Sequence, residues 1–455
     1  MAIVTINNQF EALGDGLSPD TDPAITDGVR VFIPDRVVLR AEGQGVTTGE
    51  GSDFTSIDVV VKGRIAAVDG AIFIDLGGPG ALSSTVVQRE TGSLSDRFGS
   101  PTDAVRISHT HDGSDTPNRA TIVNAAFIEK FFGNAVSFTG VQDVRVVNES
   151  DGFILGFPAE GFETSAIVVR MTEDGTFFLD NDGRVQGGQS IRPDGVASLG
   201  AAGLRIDGGA RAVIQNAGNI EGANGISAEV ALFATSETSL LVNTGDVRGA
   251  TFLLNAGGAT IQNAATGRLI GTVTTGDAAD RVLNEGVILD VLDLGAGDDL
   301  YRGSGRFAQP RSGVEGGAGN DRLIAGEFAH DLDGGTGDDI LRGGAGDDTL
   351  TGGTGRDILF GGGADTFRFA LGDSPGQGAA DVIRDFTRGQ DILDIDGATA
   401  FIGDAAFSGT AGEVRFTATP NDAIRLQADL DGDRRADLAV NLLGLDMLAA
   451  GDLLV

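Results

Sequence analysis

GGTGDDILRGGAGDDTLTGGTGRDILF, residues 334–360, contains one nine-residue unit three times. Each unit has Gly at positions one, two and four, Asp at position six and a large aliphatic residue at position eight. Another intact unit begins at Gly316, and a shortened unit, GGGADTFRF, begins at Gly361. A variant unit begins at Leu294, and a decayed unit begins at Ala325. Because a short fixed period is the mark of a solenoid, this stretch predicts stacked coils.

The composition limits what the chain can bind. Of its 455 residues 72 are Gly and none is Cys, so disulfides and thiol chemistry are absent. The formal charge of -34 at pH 7 argues against nucleic acid as a partner and favours cations. The first residues lack the basic and apolar segments of a secretory signal peptide, and no apolar stretch is long enough for a membrane span. We therefore expect neither a nucleic-acid partner nor a membrane span.

A second, looser repeat precedes the nine-residue units. In it an Asn is followed by a Gly, then by an aliphatic residue and then by Gly or Asp, and its copies begin at Asn148, Asn181, Asn216, Asn243, Asn263 and Asn284. Short alternating stretches between the copies are typical of half-buried strands, and Gly and Asn permit tight corners. The pattern predicts one coil per repeat, with Asn side chains hydrogen-bonded from coil to coil at one corner. An antiparallel β-sandwich with Asn-Gly turns is the alternative.

The two repeats together define the expected fold class. We predict an all-β chain in which a right-handed parallel β-helix continues into a roll of nine-residue units and ends in a C-terminal β cap. The expected domains are an N-terminal arm or cap over residues 1–28, the β-helix over 29–293, the roll over 294–369 and the C-terminal cap over 370–455.

The nine-residue unit has the parts of a metal site. Its glycines permit backbone conformations that direct several carbonyl oxygens to one point, and its Asp adds a carboxylate. Oxygen ligands of both kinds suit Ca²⁺, which takes six to eight of them. The aliphatic residue at position eight is expected to point inward, so that two units form one 18-residue coil.

Residues 294–369 resemble the calcium-binding β-roll of RTX exoproteins. In that family an ion lies between turns on the same side of the roll. One turn supplies the carbonyl oxygens of positions two and four, the next supplies those of positions one and three, and both supply their Asp. The resemblance implies about three calcium ions. The implied ligand sets are Gly317, Gly319, Asp321, Gly334, Thr336 and Asp339; Gly335, Gly337, Asp339, Gly352, Thr354 and Asp357; and Gly344, Gly346, Asp348, Gly361, Gly363 and Asp365.

Two further positions in the roll are less regular. The decayed unit has His330 where the others have Asp, so we expect the site between units 325 and 343 to be weak or empty. The spacing between Leu294 and Gly316 exceeds two units by four residues, which makes Asp299 a weaker metal candidate.

The C-terminal part resembles that of serralysin-like RTX exoproteins. The resemblance rests on ADVIRDFTRGQDILDI, residues 380–395, and on the final DLLV. It implies a protein of a Gram-negative bacterium, exported by the type I secretion machinery through an uncleaved C-terminal signal, and folded on calcium outside the cell or at its surface. The alternative is an ordinary amphipathic C-terminal strand.

A run of acids in the same part imitates an EF-hand loop. Arg434 stands where that loop needs Gly, and Val440 replaces its bidentate Glu. A solvated turn is the favoured interpretation, and the weaker metal candidates there are Asp429, Asp431, Asp433 and Asp437.

No enzyme signature is present. The sequence has no H-E-x-x-H, no G-x-S-x-G and no Cys, and His109 and His111 are not separated by a Glu. The single tyrosine, Tyr301, lies in the roll. We therefore predict a secreted calcium-binding structural protein that self-associates into a surface layer, matrix or filament. A cell-surface adhesin that binds glycan or protein is the alternative, and a polysaccharide lyase, epimerase or glycosidase is third.

Overall fold

A computed structural model gives the fold of the chain. It describes the strands that precede residue 104 and residues 104–108, 118–125, 127–131, 134–157, 165–187, 202–222, 230–304, 306–307, 313–374, 380–419 and 423–454. The chain divides into two compact units: unit 1 holds residues 1–256 and 267–271, and unit 2 holds residues 257–266 and 272–455.

Unit 1 consists of three stacks of strands. Stack A contains β1 (Ile3–Thr5), β3 (Arg30–Ile33), β6 (Ser56–Val61), β9 (Leu82–Gln88), β12 (Asn118–Asn124), the second halves of β14 (Val136–Asn148) and β16 (Ile167–Asn181), β19 (Arg211–Asn216) and β22 (Thr238–Asn243). Stack B contains β5 (Val46–Thr47), β8 (Ile72–Asp75), β11 (Val105–Ser108), the first halves of β14 and β16, β18 (Leu204–Asp207), β21 (Val230–Ala234) and β24 (Ala250–Leu253). Stack C contains β2 (Phe10–Ala12), β4 (Val38–Ala41), β7 (Arg64–Ala67), β10 (Ser93–Asp96), β13 (Phe127–Phe131), β15 (Phe153–Phe157), β17 (Arg184–Gln186), β20 (Asn219–Glu221), β23 (Asp246–Arg248) and β26 (Arg268–Ile270).

The pairing within these stacks decides between the two predicted architectures. Each strand pairs in parallel with the strand one coil later, as Ile154 of β15 does with Val185 of β17. A sandwich joined by Asn-Gly hairpins would pair its strands antiparallel. The parallel β-helix is confirmed, and its three stacks are three faces around a core that includes Ile122, Val146 and Leu179, all fully buried.

A ladder of Asn side chains lines one corner of unit 1. Nδ2 of each Asn donates to Oδ1 of the Asn one coil later, at 2.7–2.8 Å, in the order Asn124, Asn148, Asn181, Asn216 and Asn243. All five side chains are buried. The coils between them differ in length, 35 residues in one case and 27 in the next. The ladder therefore fixes the register of coils whose connecting segments vary, and the predicted Asn stacking is confirmed.

Unit 2 has two long stacks. Stack D contains β25 (Ala259–Asn263), β28 (Arg281–Asn284), β31 (Leu300–Gly303), β34 (Arg322–Ile324), β36 (Ile340–Arg342), β38 (Ile358–Phe360), β40 (Asp381–Ile383) and β45 (Leu438–Leu443). Stack E contains β27 (Val273–Thr275), β30 (Leu292–Asp293), β33 (Val314–Ala318), β35 (Asp331–Thr336), β37 (Thr349–Thr351), β39 (Thr366–Phe369), β41 (Ile392–Ile395) and β46 (Leu453–Leu454). A third pair, β29 (Val287–Ile288) with β32 (Arg306–Phe307), lies beside them.

The nine-residue units form the two-sided part of unit 2. Leu323 pairs with Leu341 and Leu341 with Leu359 on stack D, while Leu332 pairs with Leu350 on stack E. These position-eight residues are fully buried. Each coil therefore contains two units and 18 residues, as predicted, and its core is one layer of side chains from each side.

Tyr301 ends the Asn ladder of unit 2. Asn263 donates to Asn284 at 2.8 Å, and the residue opposite Asn284 on the next coil is Gly303. A Cβ at Gly303 would clash with the Tyr301 hydroxyl, so that hydroxyl fills the place of the next Asn and lies beside the Asn284 side chain. Burial raises the pKa of Tyr301 well above its usual value. The single tyrosine therefore connects the Asn corner to the coils of the roll.

The cap contains the antiparallel strands of the fold. β43 (Glu413–Thr419) pairs with β42 (Ala400–Phe401) in parallel, and with β44 (Ala423–Asp429) antiparallel; β44 pairs antiparallel with β45. A 3-10 helix, Ala450–Asp452, precedes β46. β45 pairs with β40 and the two-residue β46 pairs with β41, so the strands of the last coil are covered on both stacks.

Some sequence predictions lie at the margin of the described residues. His109 and His111 lie outside them, as does most of the segment 1–28, in which β1 and β2 pair in parallel with β3 and β4. The domain boundaries stay a prediction. No helix in the described ranges has the length and apolarity needed to cross a membrane.

Candidate metal centre

The glycines of the roll allow neighbouring turns to approach closely. Gly335 and Gly337, at positions two and four, have φ of +95° and +130°, which L side chains rarely adopt. A Cβ at Gly337 would also clash with the Gly319 carbonyl oxygen of the preceding turn. The backbone at these positions therefore requires Gly both for its conformation and for space.

The position-six aspartates form ladders along the roll. One carboxylate oxygen, Oδ1, of each Asp accepts the backbone N–H of the corresponding residue on the preceding turn at 2.7–2.9 Å. On one side the N–H groups of Asp299, Asp321 and Asp339 donate to Asp321, Asp339 and Asp357; on the other those of His330 and Asp348 donate to Asp348 and Asp365. This bond fixes the orientation of each carboxylate.

The second oxygen of these carboxylates has no partner in the described residues. It is buried and makes no hydrogen bond at Asp299, Asp321, Asp339, Asp348, Asp357, Asp365 and Asp381. The seven residues are at most 2% exposed. A buried anionic oxygen without a partner is costly, because protein interiors solvate charge poorly. The ladders therefore form two rows of oxygens that a cation would stabilise.

The acidity of these carboxyl groups shows how poorly their charge is solvated. Burial, together with the charges of Asp357 and Asp321, raises the pKa of Asp339 to about 7. Burial likewise raises the pKa of Asp357 and of Asp299 to about 7, and that of Asp365 to about 6. Each of these groups ionises readily only when a positive charge lies close by.

Carbonyl oxygens converge with the carboxylates at two of the three predicted sites. A Cβ at Gly334 would clash with both Asp339 Oδ2 and the Gly352 carbonyl oxygen of the next turn. A Cβ at Gly316 would lie 2.5 Å from Asp321 Oδ2 and 2.6 Å from the Gly334 carbonyl oxygen. Carboxylate and carbonyl oxygens at one point are the ligands that calcium prefers.

The position-three carbonyl oxygens predicted as ligands already make one backbone bond each. Those of Thr336 and Thr354 accept the N–H groups of Gly319 and Gly337, both at 2.8 Å. A carbonyl oxygen has a second lone pair, so this bond is compatible with a metal ligand.

The third predicted site has a different geometry. Gly346, at position four of its unit, is outside the left-handed region that Gly319, Gly337 and Gly355 occupy. The Gly363 carbonyl oxygen, in the shortened unit, accepts a hydrogen bond of 2.6 Å from Gln390 Nε2. The surroundings of two predicted ligands therefore differ from those at the other sites, although Asp348 and Asp365 remain in the ladder.

Residues 312–455 match the family of the peptidase M10 serralysin C terminal. The solution structure of the AlgE6R3 subunit from the Azotobacter vinelandii mannuronan C5-epimerase is 34% identical to this chain; the match covers 30% of this chain and 77% of that one, with a TM-score of 0.24. No curated protein matches the chain. The family match and the two parallel stacks agree with the predicted calcium-binding RTX repeats, β-roll and type I secretion.

The serralysin-like C-terminal region extends both ladders beyond the nine-residue units. Asp381 Oδ1 accepts the Asp357 N–H at 2.8 Å, and Asp391 Oδ1 accepts the Asp365 N–H at 3.0 Å. Burial raises the pKa of Asp381 to about 7. Sequence analysis missed these two residues because the full glycine pattern does not precede them: of positions one, two and four, Asp381 has only Gly376 and Asp391 only Gly389. Their signal is an Asp two residues before a buried apolar residue, Ile383 or Leu393.

Asp299 belongs to the ladder despite the irregular spacing. Its Oδ1 accepts the N–H of Asp280, and its own N–H donates to Asp321, because Leu300 pairs in register with Arg322. The four extra residues are therefore accommodated between strands. Asp280, a further ladder member that the sequence did not indicate, has both oxygens in hydrogen bonds, to the N–H groups of Ala259 and Gly276.

The acidic loop of the cap differs from the ladders. Carboxylate oxygens of Asp429, Asp431 and Asp433 lie within 4.8 Å of one another. Both Asp429 oxygens accept backbone N–H groups, from Gly432 and Arg434. Asp437 Oδ2 accepts those of Leu430 and Asp431, at 2.7 and 3.2 Å. This loop satisfies its own carboxylates, and the ladders of the roll do not.

Proposed function

We propose that the chain is a secreted protein whose roll folds around about three calcium ions. The observation that supports this proposal is the row of buried Asp Oδ2 atoms without hydrogen-bond partners. The ions would lie between units 316 and 334, 334 and 352, and 343 and 361, with Asp321, Asp339, Asp357, Asp348 and Asp365 as carboxylate ligands. The orphaned oxygens fit calcium, since those of Asp321 and Asp339 lie beside a carbonyl oxygen of the neighbouring turn.

Calcium would decide whether the roll is folded. Each ion present at a hundred times its dissociation constant stabilises the bound fold by about 2.7 kcal/mol, so that three ions supply about 8 kcal/mol. This is comparable to the whole stability of a typical domain. Without the ions the aspartates repel one another along both ladders, and short strands with many glycines provide little else to hold the coils.

We infer from the same coupling how export and folding are connected. A chain that cannot complete its roll in a calcium-poor cytosol stays open for the type I secretion machinery and folds once calcium is available outside. The match of residues 312–455 to the serralysin C-terminal family supports this route. We propose that the C-terminal residues act as the uncleaved signal.

We further propose lateral self-association into a layer, matrix or filament. The outer face of stack A has a half-exposed apolar side chain on each of five neighbouring strands, namely Val123, Val147, Phe178, Val213 and Leu240. An apolar surface of this kind favours contact with a second copy. The covered edges of β40 and β41 disfavour growth through the C-terminal end.

One titration tests folding and assembly together. Chelator-treated protein receives increasing calcium while circular dichroism and particle size are recorded. We expect a gain of β signal followed by growth to large particles. Leu240→Asp should keep the first change and lose the second, whereas Gln186→Asp, which adds the same charge on stack C, should keep both. No spectral change at millimolar calcium would refute calcium-dependent folding, and growth unaffected by Leu240→Asp would refute the stack A contact.

One observation favours the second candidate, an adhesin that binds an acidic glycan. A cavity of about 300 Å³ on stack A is lined by residues that include Arg119, Arg145 and Phe178. Arg119 pairs with Asp143 at 3.1 Å, and the Arg145 guanidinium lies 4.8 Å from the centre of the Phe178 ring. Stacking holds a guanidinium flat with its N–H edges available to a carboxylate. An adhesin should stay monomeric with calcium and bind uronate oligosaccharides less well after Arg145→Ala.

A further inference from the structure

The decayed unit at Ala325 differs from every intact unit at two positions of its site. His330 replaces Asp at position six, and Phe328 replaces Gly at position four. The His330 side chain is fully buried, and its backbone N–H donates to Asp348 Oδ1 at 2.7 Å, as the other ladder members do. The turn therefore keeps its place in the ladder although it has lost a carboxylate.

The imidazole ring points into the space between the two turns. Its Nδ1 lies 2.5 Å from the Phe328 carbonyl oxygen and 3.8 Å from Asp348 Oδ1. A carbonyl oxygen can only accept a hydrogen bond, so Nδ1 carries the proton. The position-four carbonyl oxygen, which is a metal ligand in the implied arrangement, is here bonded to the ring.

The backbone around the ring has also departed from the metal-site geometry. Gly319, Gly337 and Gly355 occupy position four with φ between +130° and +142°. Phe328 has no such positive φ: in the described ranges Arg434 is the only non-Gly residue that has one. Asp348 Oδ1 accepts the His330 N–H and faces the ring, whereas Asp348 Oδ2 lies beside Gly343, as Asp339 Oδ2 lies beside Gly334. The carboxylate of unit 343 is thus present at this gap, and that of unit 325 is replaced by the ring.

We propose that the His330 ring takes the position that calcium takes between the other turns, so that units 325 and 343 close without a metal ion. The proposal rests on the calcium-binding function proposed above. The ring N–H satisfies the carbonyl oxygen that an ion would otherwise bind, and the imidazole fills the volume beside Asp348. The roll then has one contact between turns that does not depend on calcium, next to contacts between turns that do.

Calcium stoichiometry of the full chain, measured at saturation by native mass spectrometry, tests this assignment. Phe328→Gly/His330→Asp restores the Gly at position four and the Asp at position six, and should bind one ion more than the wild type. Phe328→Gly alone should leave the count unchanged. His330→Leu, which has similar volume and no ligand atom, should also keep the count but lower the unfolding temperature in calcium.

Two results would overturn the proposal. Loss of one ion in His330→Leu would show that the ring is itself a ligand of a bound ion, and an unchanged count in the double variant would show that this gap is not equivalent to the other sites. A wild-type protein that binds no calcium at all would instead refute the calcium-binding function, so the two failures are distinguishable.

Discussion

Asp339→Asn is the most informative single substitution, since Asp339 is shared by two proposed ion sites. The amide oxygen can still accept the Asp321 N–H, which the carboxylate accepts at 2.7 Å, so the ladder itself is kept. The substitution replaces Oδ2 with an NH₂ group directed at the Gly352 carbonyl oxygen. Both ion sites that share Asp339 then lack the negative charge of this carboxylate and one of their ligand oxygens. With calcium at a hundred times its dissociation constant, we expect a loss of about 5 kcal/mol.

Without calcium the same substitution should act in the opposite direction. The folded pKa of Asp339 is raised from 3.8 to about 7, so its ionised form destabilises the calcium-free fold above pH 7. A shift of roughly three pKa units corresponds to about 4 kcal/mol at most. Removing this charge should therefore raise the stability of the calcium-free protein at pH 8, in the same molecule that loses stability with calcium.

The assay at pH 8 combines thermal unfolding in excess calcium with the β signal of the chelator-treated protein in circular dichroism, which reports how much of the calcium-free roll is folded. Asp338→Asn is the matched control: it removes the same charge one residue away, where the exposed carboxylate accepts the Arg356 N–H at 3.0 Å. The control should leave the β signal in chelator unchanged and shift the unfolding temperature in calcium by no more than a few degrees. A destabilisation by Asp339→Asn that is equal in both conditions would contradict our reasoning, since it would show a packing role independent of the ion.

Three more predictions follow from the two kinds of ladder. Apparent calcium affinity should rise between pH 6 and 8, because the pKa of Asp357 is raised to about 7 and the ion must displace a proton below that pH. Calorimetry in buffers of different ionisation enthalpy would reveal the released protons, and an affinity that does not change with pH would contradict this prediction. Asn216→Ala should cost about 3 kcal/mol in urea unfolding, because it removes the buried hydrogen bonds that Asn216 makes with Asn181 and Asn243, while exposed Gln215→Ala should have little effect. Tyr301→Phe should cost about 1 to 2 kcal/mol, since the buried Asn284 amide loses the polar hydroxyl beside it; an unchanged unfolding midpoint would show that the hydroxyl does not continue the ladder.

The nine-residue units determined much of the roll by themselves. Their period places equivalent residues one coil apart, so Leu341 and Leu359 had to stack, and Asp339 had to lie above Asp357. Local repetition of this kind needs no knowledge of distant contacts. The looser repeat that begins with Asn likewise predicted a ladder from the sequence alone, because one residue type recurs at the same corner of successive coils.

Only the tertiary structure decided how irregular segments join these rows. Asp381 and Asp391 enter the ladders through strands whose preceding residues do not repeat, and Asp299 keeps its register across four extra residues. The Tyr301 hydroxyl and the His330 ring each occupy a place that a different residue type holds elsewhere. Such replacements depend on which side chains face one another across coils of unequal length. Where the coils are equal in length, sequence spacing specifies which side chains face one another. Where the coils differ in length, only three-dimensional packing specifies it.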